Sequence, residues 1–344
     1  MTIKTLGIDL GKRCFHVFGA DDYGKTIVKK QFSRSKLITY LSTLEPCVIG
    51  FEACAGSHYW ARKVKELGHT PKLMPGQFVK PFVKSNKNDF LDAEAIWEAV
   101  QRPTMRFVTE RTEEQQALGC LVKLRNNLVG QRTSVINQVH GFLLEFGVEY
   151  PKGRKTVLKL MDIISKNTTV IPGTLKLVLY RLYEETCYLR DTVDELEREM
   201  EQRLKQDERG QKLLEIPGVG VNTAACLIAW VGDAKHFKSG RALAAWIGLV
   251  PKQKSTGGKQ VLQGIGKRAH TLLRFNLIHG ARSALQWYGD KPSAWKEWAE
   301  KLVKEKPKPK VVVALANKMA RMIWVVLNRN ELYKALPNRC QLPC

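Results

Sequence analysis

Ile3-Lys4-Thr5-Leu6-Gly7-Ile8-Asp9, Cys14-Phe15-His16-Val17-Phe18-Gly19-Ala20 and Thr26-Ile27-Val28-Lys29-Lys30-Gln31-Phe32 decide the fold of this chain. The three runs are rich in β-branched and aromatic residues. The turn-forming pieces Leu10-Gly11-Lys12-Arg13 and Asp21-Asp22-Tyr23-Gly24 separate them, which predicts a β-meander. Beyond it the pattern alternates: a helix over 35–44, a strand over 47–51, a helix over 57–67 closed by Gly68, a strand over 70–74 and a short helix over 77–83. A meander followed by helix–strand alternation predicts a mixed sheet flanked by helices, an α/β domain over residues 1–110.

Two of these strands end in carboxylates, Asp9 after Thr5-Leu6-Gly7-Ile8 and Glu52 after Val48-Ile49-Gly50-Phe51. Asp89 and Asp92 stand three residues apart just before a helical pattern over 93–100, a spacing that sets both on one helical face. Asp92 taken alone reads equally as the N-cap of that helix. Together the four acids can converge on a hard divalent cation, Mg²⁺ or Mn²⁺. Lys87, just upstream, is placed to contact a phosphate.

The chain as a whole is strongly basic. Its 344 residues hold 56 Lys+Arg against 33 Asp+Glu, a net charge of +23, so the expected partner is a polyanion. A hydrophobic fraction of 44% excludes a disordered chain. No signal-peptide pattern opens the sequence, and the apolar stretch over 311–327 is interrupted by Lys318 and Arg321, so no membrane partner is expected. The eight cysteines are scattered without a C-x-x-C pair, which predicts reduced thiols and a cytoplasmic setting. Gly257-Gly258-Lys259 lacks the spacing of a P-loop, which sets aside an NTPase.

Residues 111–210 read as a helical connector. A long amphipathic helix is expected over 113–146, with Lys123, Arg125 and Arg132 on an amide-rich basic face that suits nucleic acid, and His140 on that same face. A second is expected over 175–214, whose leucine stripe suits either an antiparallel hairpin or a coiled-coil dimerisation arm. Residues 211–330 read as a mainly helical domain. Ile216-Pro217-Gly218-Val219-Gly220 before an Ala-rich helix suggests a helix–hairpin–helix turn, where Gly218 and Gly220 let the backbone approach a phosphate. Gly248–Lys259 reads as a polar loop that holds Ser255 and Thr256 among Lys252, Lys254 and Lys259. Helices are expected over 267–285, 292–303 and 311–328, the last after a Lys/Pro linker, and residues 331–344 read as a tail.

Gly7-Ile8-Asp9-Leu10-Gly11-Lys12, Phe51-Glu52-Ala53-Cys54-Ala55-Gly56 and Lys87-Asn88-Asp89-Phe90-Leu91-Asp92-Ala93 resemble the three motifs of DEDD-type insertion-sequence transposases. Ile216–Gly220, Gly248-Leu249-Val250-Pro251, Ser255-Thr256-Gly257-Gly258-Lys259 and Leu273-Arg274 resemble the C-terminal transposase domain of the same family, insertion-sequence group one-ten, and the S-T-G-G-K form looks like its eleven-eleven subgroup. The resemblance implies a RuvC-like N-terminal domain of the ribonuclease H fold. It also implies a composite active site, with Asp9, Glu52, Asp89 and Asp92 holding Mg²⁺ beside a serine that forms a covalent phosphoserine link to DNA. Carried onto this chain, the nucleophile is Ser255 or Thr256, with Ser255 favoured for its less hindered hydroxyl. Lys267, Arg268 and Arg274 fit phosphate contacts, although Gly266 stands where the family tends to have serine. The implied partners are double-stranded DNA, a structured non-coding guide RNA and further copies of the chain, as a dimer or tetramer. Two other functions suit the residues alone: a metal-dependent junction resolvase or nuclease that uses water, and a basic scaffold whose acids are structural.

Overall fold

The computed structural model describes residues 3–21, 23–84, 88–149, 151, 157–167, 169–266, 269–287 and 293–333. The chain separates into two compact units, Met1–Thr112 and Glu113–Cys344.

The first unit is built on a five-stranded sheet of order β3-β2-β1-β4-β5. The strands are β1 Thr5–Leu10, β2 Cys14–Ala20, β3 Thr26–Ser33, β4 Val48–Glu52 and β5 Thr70–Met74. β1, β2 and β3 pair antiparallel as the meander requires, whereas β4 and β5 run parallel to β1 after helical crossovers. The second meander turn is closed by Asp21, whose Oδ1 accepts from the amides of Tyr23 and Lys25, and by Gly24 at φ +81°. Helices α1 (Arg34–Ser42) and α2 (Ser57–Glu66) supply Leu37, Leu41, Trp60 and Val64 to one face, over Leu6, Ile8, Phe15, Val17, Ile49 and Phe51.

The opposite face receives α4 (Asp89–Val100), which follows the short α3 (Gly76–Val79) and a 3₁₀ turn at Lys80–Phe82. Because strand side chains alternate, Gly7, Asp9, His16, Phe18, Gly50 and Glu52 all lie on this second face. α4 sits directly on β1. A methyl group at Gly7 would come within 2.3 Å of the Ala93 carbonyl oxygen and 2.4 Å of the Trp97 nitrogen. The absent side chain at Gly7 is therefore what lets the helix bearing Asp89 and Asp92 approach the strand bearing Asp9.

The second unit is helical. α5 (Glu113–Glu145) and α7 (Gly173–Gln206) form an antiparallel hairpin, with α6 (Leu160–Lys166) near its far end. At that far end Ile136, Val139 and Leu143 pack with Leu179. At the near end Leu118, Val122, Met200 and Leu204 join the main core. That core is completed by α8 (Glu208–Leu214), α9 (Val221–Trp230), α10 (Gly240–Ile247), α11 (Thr271–Trp287), α12 (Ala294–Glu305) and α13 (Lys308–Arg329).

Several expectations are corrected here. The helix expected over 175–214 breaks at Asp207, whose extended backbone (φ −101°, ψ 116°) ends α7 and whose side chain caps α8. Its buried stripe, Leu179, Leu189, Val193, Met200 and Leu204, is covered within the chain, so it is not a vacant seam for a coiled coil. The Lys/Pro linker is shorter than expected, because α13 begins at Lys308 with Pro307 as its N-cap. α13 is long and apolar enough to cross a bilayer by length and composition, despite Lys318 and Arg321. What places it is burial: Val312, Leu315, Ala316, Met319, Ala320 and Ile323 are packed in the core. Most of the loop expected over 248–259 is instead part of a β-hairpin that runs on to Ile265, β6 (Pro251–Thr256) and β7 (Lys259–Ile265). Their joint is Gly257-Gly258 at φ +57° and +78°, the left-handed pair that a two-residue hairpin turn demands.

Candidate functional site

The acidic site is assembled by three elements of the first unit. β1 and β4 are parallel neighbours, so Asp9 and Glu52 stand at the same end of the sheet. The third element is the start of α4, whose cap is Asn88 rather than Asp92: the Asn88 side-chain oxygen Oδ1 accepts from the Phe90 amide at 3.0 Å. With the cap taken, α4 begins four residues earlier than expected. Asp89 and Asp92 both fall in its first turn, where the helix dipole favours negative charge.

Electrostatically the four acids are one group. Burial, then the charges of Asp92 and Asp89, push the Asp9 carboxyl above its ordinary range; His16 pulls the other way and Glu52 adds a further push. Like charges concentrated around a half-buried carboxylate are what a divalent cation would relieve, and an all-carboxylate oxygen set fits Mg²⁺ or Mn²⁺. Among the described residues, no three His, Cys, Asp or Glu side chains are already closed to metal-ligating geometry. The acids sense one another through charge while their flexible ends stay apart.

Two residues of this site have no signal in motif spacing. His16, directly across from Asp9 in the β1–β2 register, is buried, with Nδ1 3.9 Å from Asp89 Oδ2. Gly76, at the start of α3, lies under Glu52: a methyl group there would meet Glu52 Oε1 at 2.3 Å and no other side chain or backbone within 3.4 Å. Gly76→Ala is therefore expected to leave the fold standing, because only a flexible side-chain end has to move. Activity is expected to fall about a hundredfold as the Glu52 carboxylate is displaced. Melting temperature and strand-transfer rate measured on the same preparation check this. A normal rate would mean that Glu52 is not held for catalysis.

The hydroxyl candidates lie on the β6–β7 ribbon of the second unit, and every residue of both strands up to Gly264 is exposed. Ser255 pairs with Gln260 and Thr256 with Lys259, so the two hydroxyls point to opposite faces. Ser255 Oγ is 2.8 Å from Gln253 Nε2, which donates to it. Thr256 shares its face with Lys254 and Lys259. At the foot of the ribbon, Arg274 of α11 donates from Nη1 to the Gly266 carbonyl. A groove of about 300 Å³ is lined by Phe142, Phe146, Pro172, Thr174, Leu175 and Val178. No titratable side chain is among those that line it.

Residues 6–147 match the DEDD transposase model of IS110 elements, described as "Transposase", and residues 210–297 match the model described as "Transposase IS116/IS110/IS902 family". The chain is 44% identical over 331 residues to the transposase for insertion sequence element IS1328 of Yersinia enterocolitica, covering 96% of this chain and 98% of that one. The chain belongs to the IS110/IS116 transposase family. It is 40% identical to a probable family 20 transposase of Pseudomonas aeruginosa, with 97% and 99% of the two chains covered. To the transposase for insertion sequence element IS1111A of Coxiella burnetii it is 39% identical, with 96% and 92% covered. As a transposase it is an enzyme of DNA strand transfer.

Within this transposase the residues expected to touch nucleic acid divide. Lys123, Lys252, Lys254 and Lys259 are exposed. Arg125 is committed to the arm, where it donates to Glu197 across the α5–α7 hairpin at 2.8 Å from Nε. Arg132, at 6% exposure, and His140 lie on the buried side of α5, because the helix turns its inner stripe through those positions. Arg274 braces the ribbon rather than standing free. Gly218, at φ +83°, is used for close packing: its backbone crosses that of Gly280, and a methyl at Gly218 would meet the Gly280 carbonyl oxygen at 2.4 Å. Gly220 is the open position, with nothing within 4 Å of where a methyl would stand. Lys87, Lys267, Arg268 and the Cys340/Cys344 tail lie outside the described residues.

Proposed function

We propose that the chain is the recombinase of a mobile insertion sequence, cutting and rejoining DNA through a covalent protein–DNA intermediate, guided by a structured RNA encoded with the element. The observation that carries this is the pairing of an acidic cluster at one sheet end with a hydroxyl-bearing, lysine-rich ribbon in a single transposase chain. The strand order β3-β2-β1-β4-β5, antiparallel then parallel, supports a ribonuclease H-like, RuvC-like reading of the first unit.

Asp9, Glu52, Asp89 and Asp92 would hold Mg²⁺ or Mn²⁺, which when bound neutralises charge on the phosphate oxygens. The ribbon supplies the nucleophile. Its hydroxyl oxygen bonds to phosphorus, the bond from phosphorus to the leaving deoxyribose oxygen breaks, that oxygen takes up a proton, and the hydroxyl proton passes to solvent. A deoxyribose hydroxyl of the strand to be joined then attacks the same phosphorus and restores the side-chain hydroxyl. Exposed Lys123, Lys252, Lys254 and Lys259 offer phosphate contacts, and the net charge of +23 suits DNA and RNA held together. Joining two element ends calls for more than one copy of the chain, working in the bacterial cytosol at the nucleoid.

A water-using nuclease is the second reading, favoured by one fact: all four acids belong to the first compact unit. The deciding assay mixes the protein with element-end DNA, flanking RNA and Mg²⁺, then denatures and digests it for mass spectrometry. A nucleotide on Ser255 or Thr256, absent in Asp9→Asn, is expected. Cleaved DNA without an adduct would move the assignment to the nuclease.

A further inference from the structure

We infer that His16 is a nitrogen donor of the acidic metal site, which makes that site selective for Mn²⁺-like transition ions over Mg²⁺. This rests on the metal-dependent reading of the four acids given above. Three observations converge on His16. It is paired with Asp9 across the β1–β2 ladder, and directly opposed residues share a face with their Cβ atoms only about 5 Å apart. Its side chain is nine-tenths buried, at 10% exposure, and Nδ1 has no hydrogen-bond partner among the described residues. That same atom is aimed at the cluster, 3.9 Å from Asp89 Oδ2, too long for a hydrogen bond yet within the reach of a shared cation.

The ring is also held in place. Phe90, the residue after Asp89, packs edge-on against it with centroids 4.7 Å apart, and Lys29 lies over the Phe90 ring at 5.8 Å. A strand histidine that served only as filling would turn its nitrogens to a backbone or side-chain partner, because a buried ring nitrogen left unmatched is costly. Here the unmatched atom faces the acids. The carboxylates have flexible ends that can close in, whereas His16 is fixed by strand and ring contacts, so its position sets where a cation would settle. Oxygen donors alone suit Mg²⁺, and an added imidazole nitrogen shifts preference toward later divalent ions.

The test uses the full-length protein with Mn²⁺ alone and reads nitrogen coupling by pulsed electron paramagnetic resonance. Bound Mn²⁺ is expected to show ¹⁴N coupling, which changes on ¹⁵N-histidine labelling of the wild-type chain and disappears in His16→Ala. In the variant the ratio of Mn²⁺ to Mg²⁺ affinity is expected to fall about tenfold. Mn²⁺ that binds in an Asp9-dependent way without nitrogen coupling would overturn the assignment of His16 and leave the metal reading standing. Coupling that survives in His16→Ala would also overturn it. Failure of wild-type protein to bind Mn²⁺ at all would overturn the metal reading itself. The labelled wild-type spectrum decides the question even if the alanine variant does not fold.

Discussion

Asp9→Asn is expected to abolish strand transfer and, in the presence of a chelator, to raise the melting temperature. The two effects have one origin. The Asp9 carboxylate is half-buried and surrounded by Asp92, Asp89 and Glu52, so its ionised form works against folding, as its raised pKa records. The amide has nearly the same shape and no charge. A carboxyl raised in the folded state binds more protons there than in the unfolded chain. Its stabilising share is thus present below the ordinary carboxylate range and lost as pH rises through the folded value. Wild-type protein in chelator should lose stability across that interval, and the Asn variant should lack that slope. Strand transfer should fall by a factor of at least about 100, the scale of losing one centre of charge stabilisation. Calorimetry with and without Mg²⁺, alongside a strand-transfer assay, checks both halves. A variant that melts earlier than wild type in chelator would show that Asp9 is a structural acid.

Ser255→Ala is expected to be the most damaging change in the second unit, by a factor on the order of 10⁴ to 10⁶ in rate, as befits loss of a nucleophile. Thr256→Ala should cost less than about tenfold. The ribbon geometry makes the outcome one-sided, because the two hydroxyls stand on opposite faces and a single phosphate can meet only one of them. Lys254 and Lys259 flank Thr256, which argues for the other choice. Long exposed lysine side chains, however, can reach around a thin ribbon, and their charge is screened within about 10 Å at 0.1 M salt. A hydroxyl one carbon from the backbone has no such freedom. Its face is fixed, and the primary alcohol of Ser255 is the less hindered. Single-turnover rates of both variants, with trapped adduct measured in parallel, decide the matter. Loss confined to Thr256→Ala would reassign the nucleophile.

The sheet was legible because its signals are local. β-branched alternation marked the meander, Asp21 and Gly24 marked its turn, and an apolar run ending in Glu52 marked β4. The acids followed from the same reading, since strand ends and an i, i+3 pair are sequence features. What was hidden depends on contacts between distant segments. His16 becomes part of the site only through the antiparallel register that sets it beside Asp9, and Gly76 only because the Glu52 side chain folds over it. Arg125 and Arg132 looked like a basic face, but Glu197 of α7 engages the first and the second is buried. The ribbon was misread for another reason. Lysine and glutamine hide strand alternation in composition, although the Gly257-Gly258 pair, flanked by Thr256 and Lys259, carried the hairpin signal.

The ribbon also bears on when this enzyme is dangerous. Val261 and Leu262 stand 55% and 66% exposed, and no residue of either strand is buried. Among the described residues, the brace at Arg274 and the ladder hydrogen bonds tie it down, and a lone two-stranded pair is at best marginally stable in water. Such an element opens and recloses at the cheap end of the protein's stability range. A captured nucleic acid, lying on those strands, would complete their folding. With the nucleophile on this ribbon, as proposed above, the cell would gain a safety catch: a blade slack in solution that stiffens against the strand it is to cut.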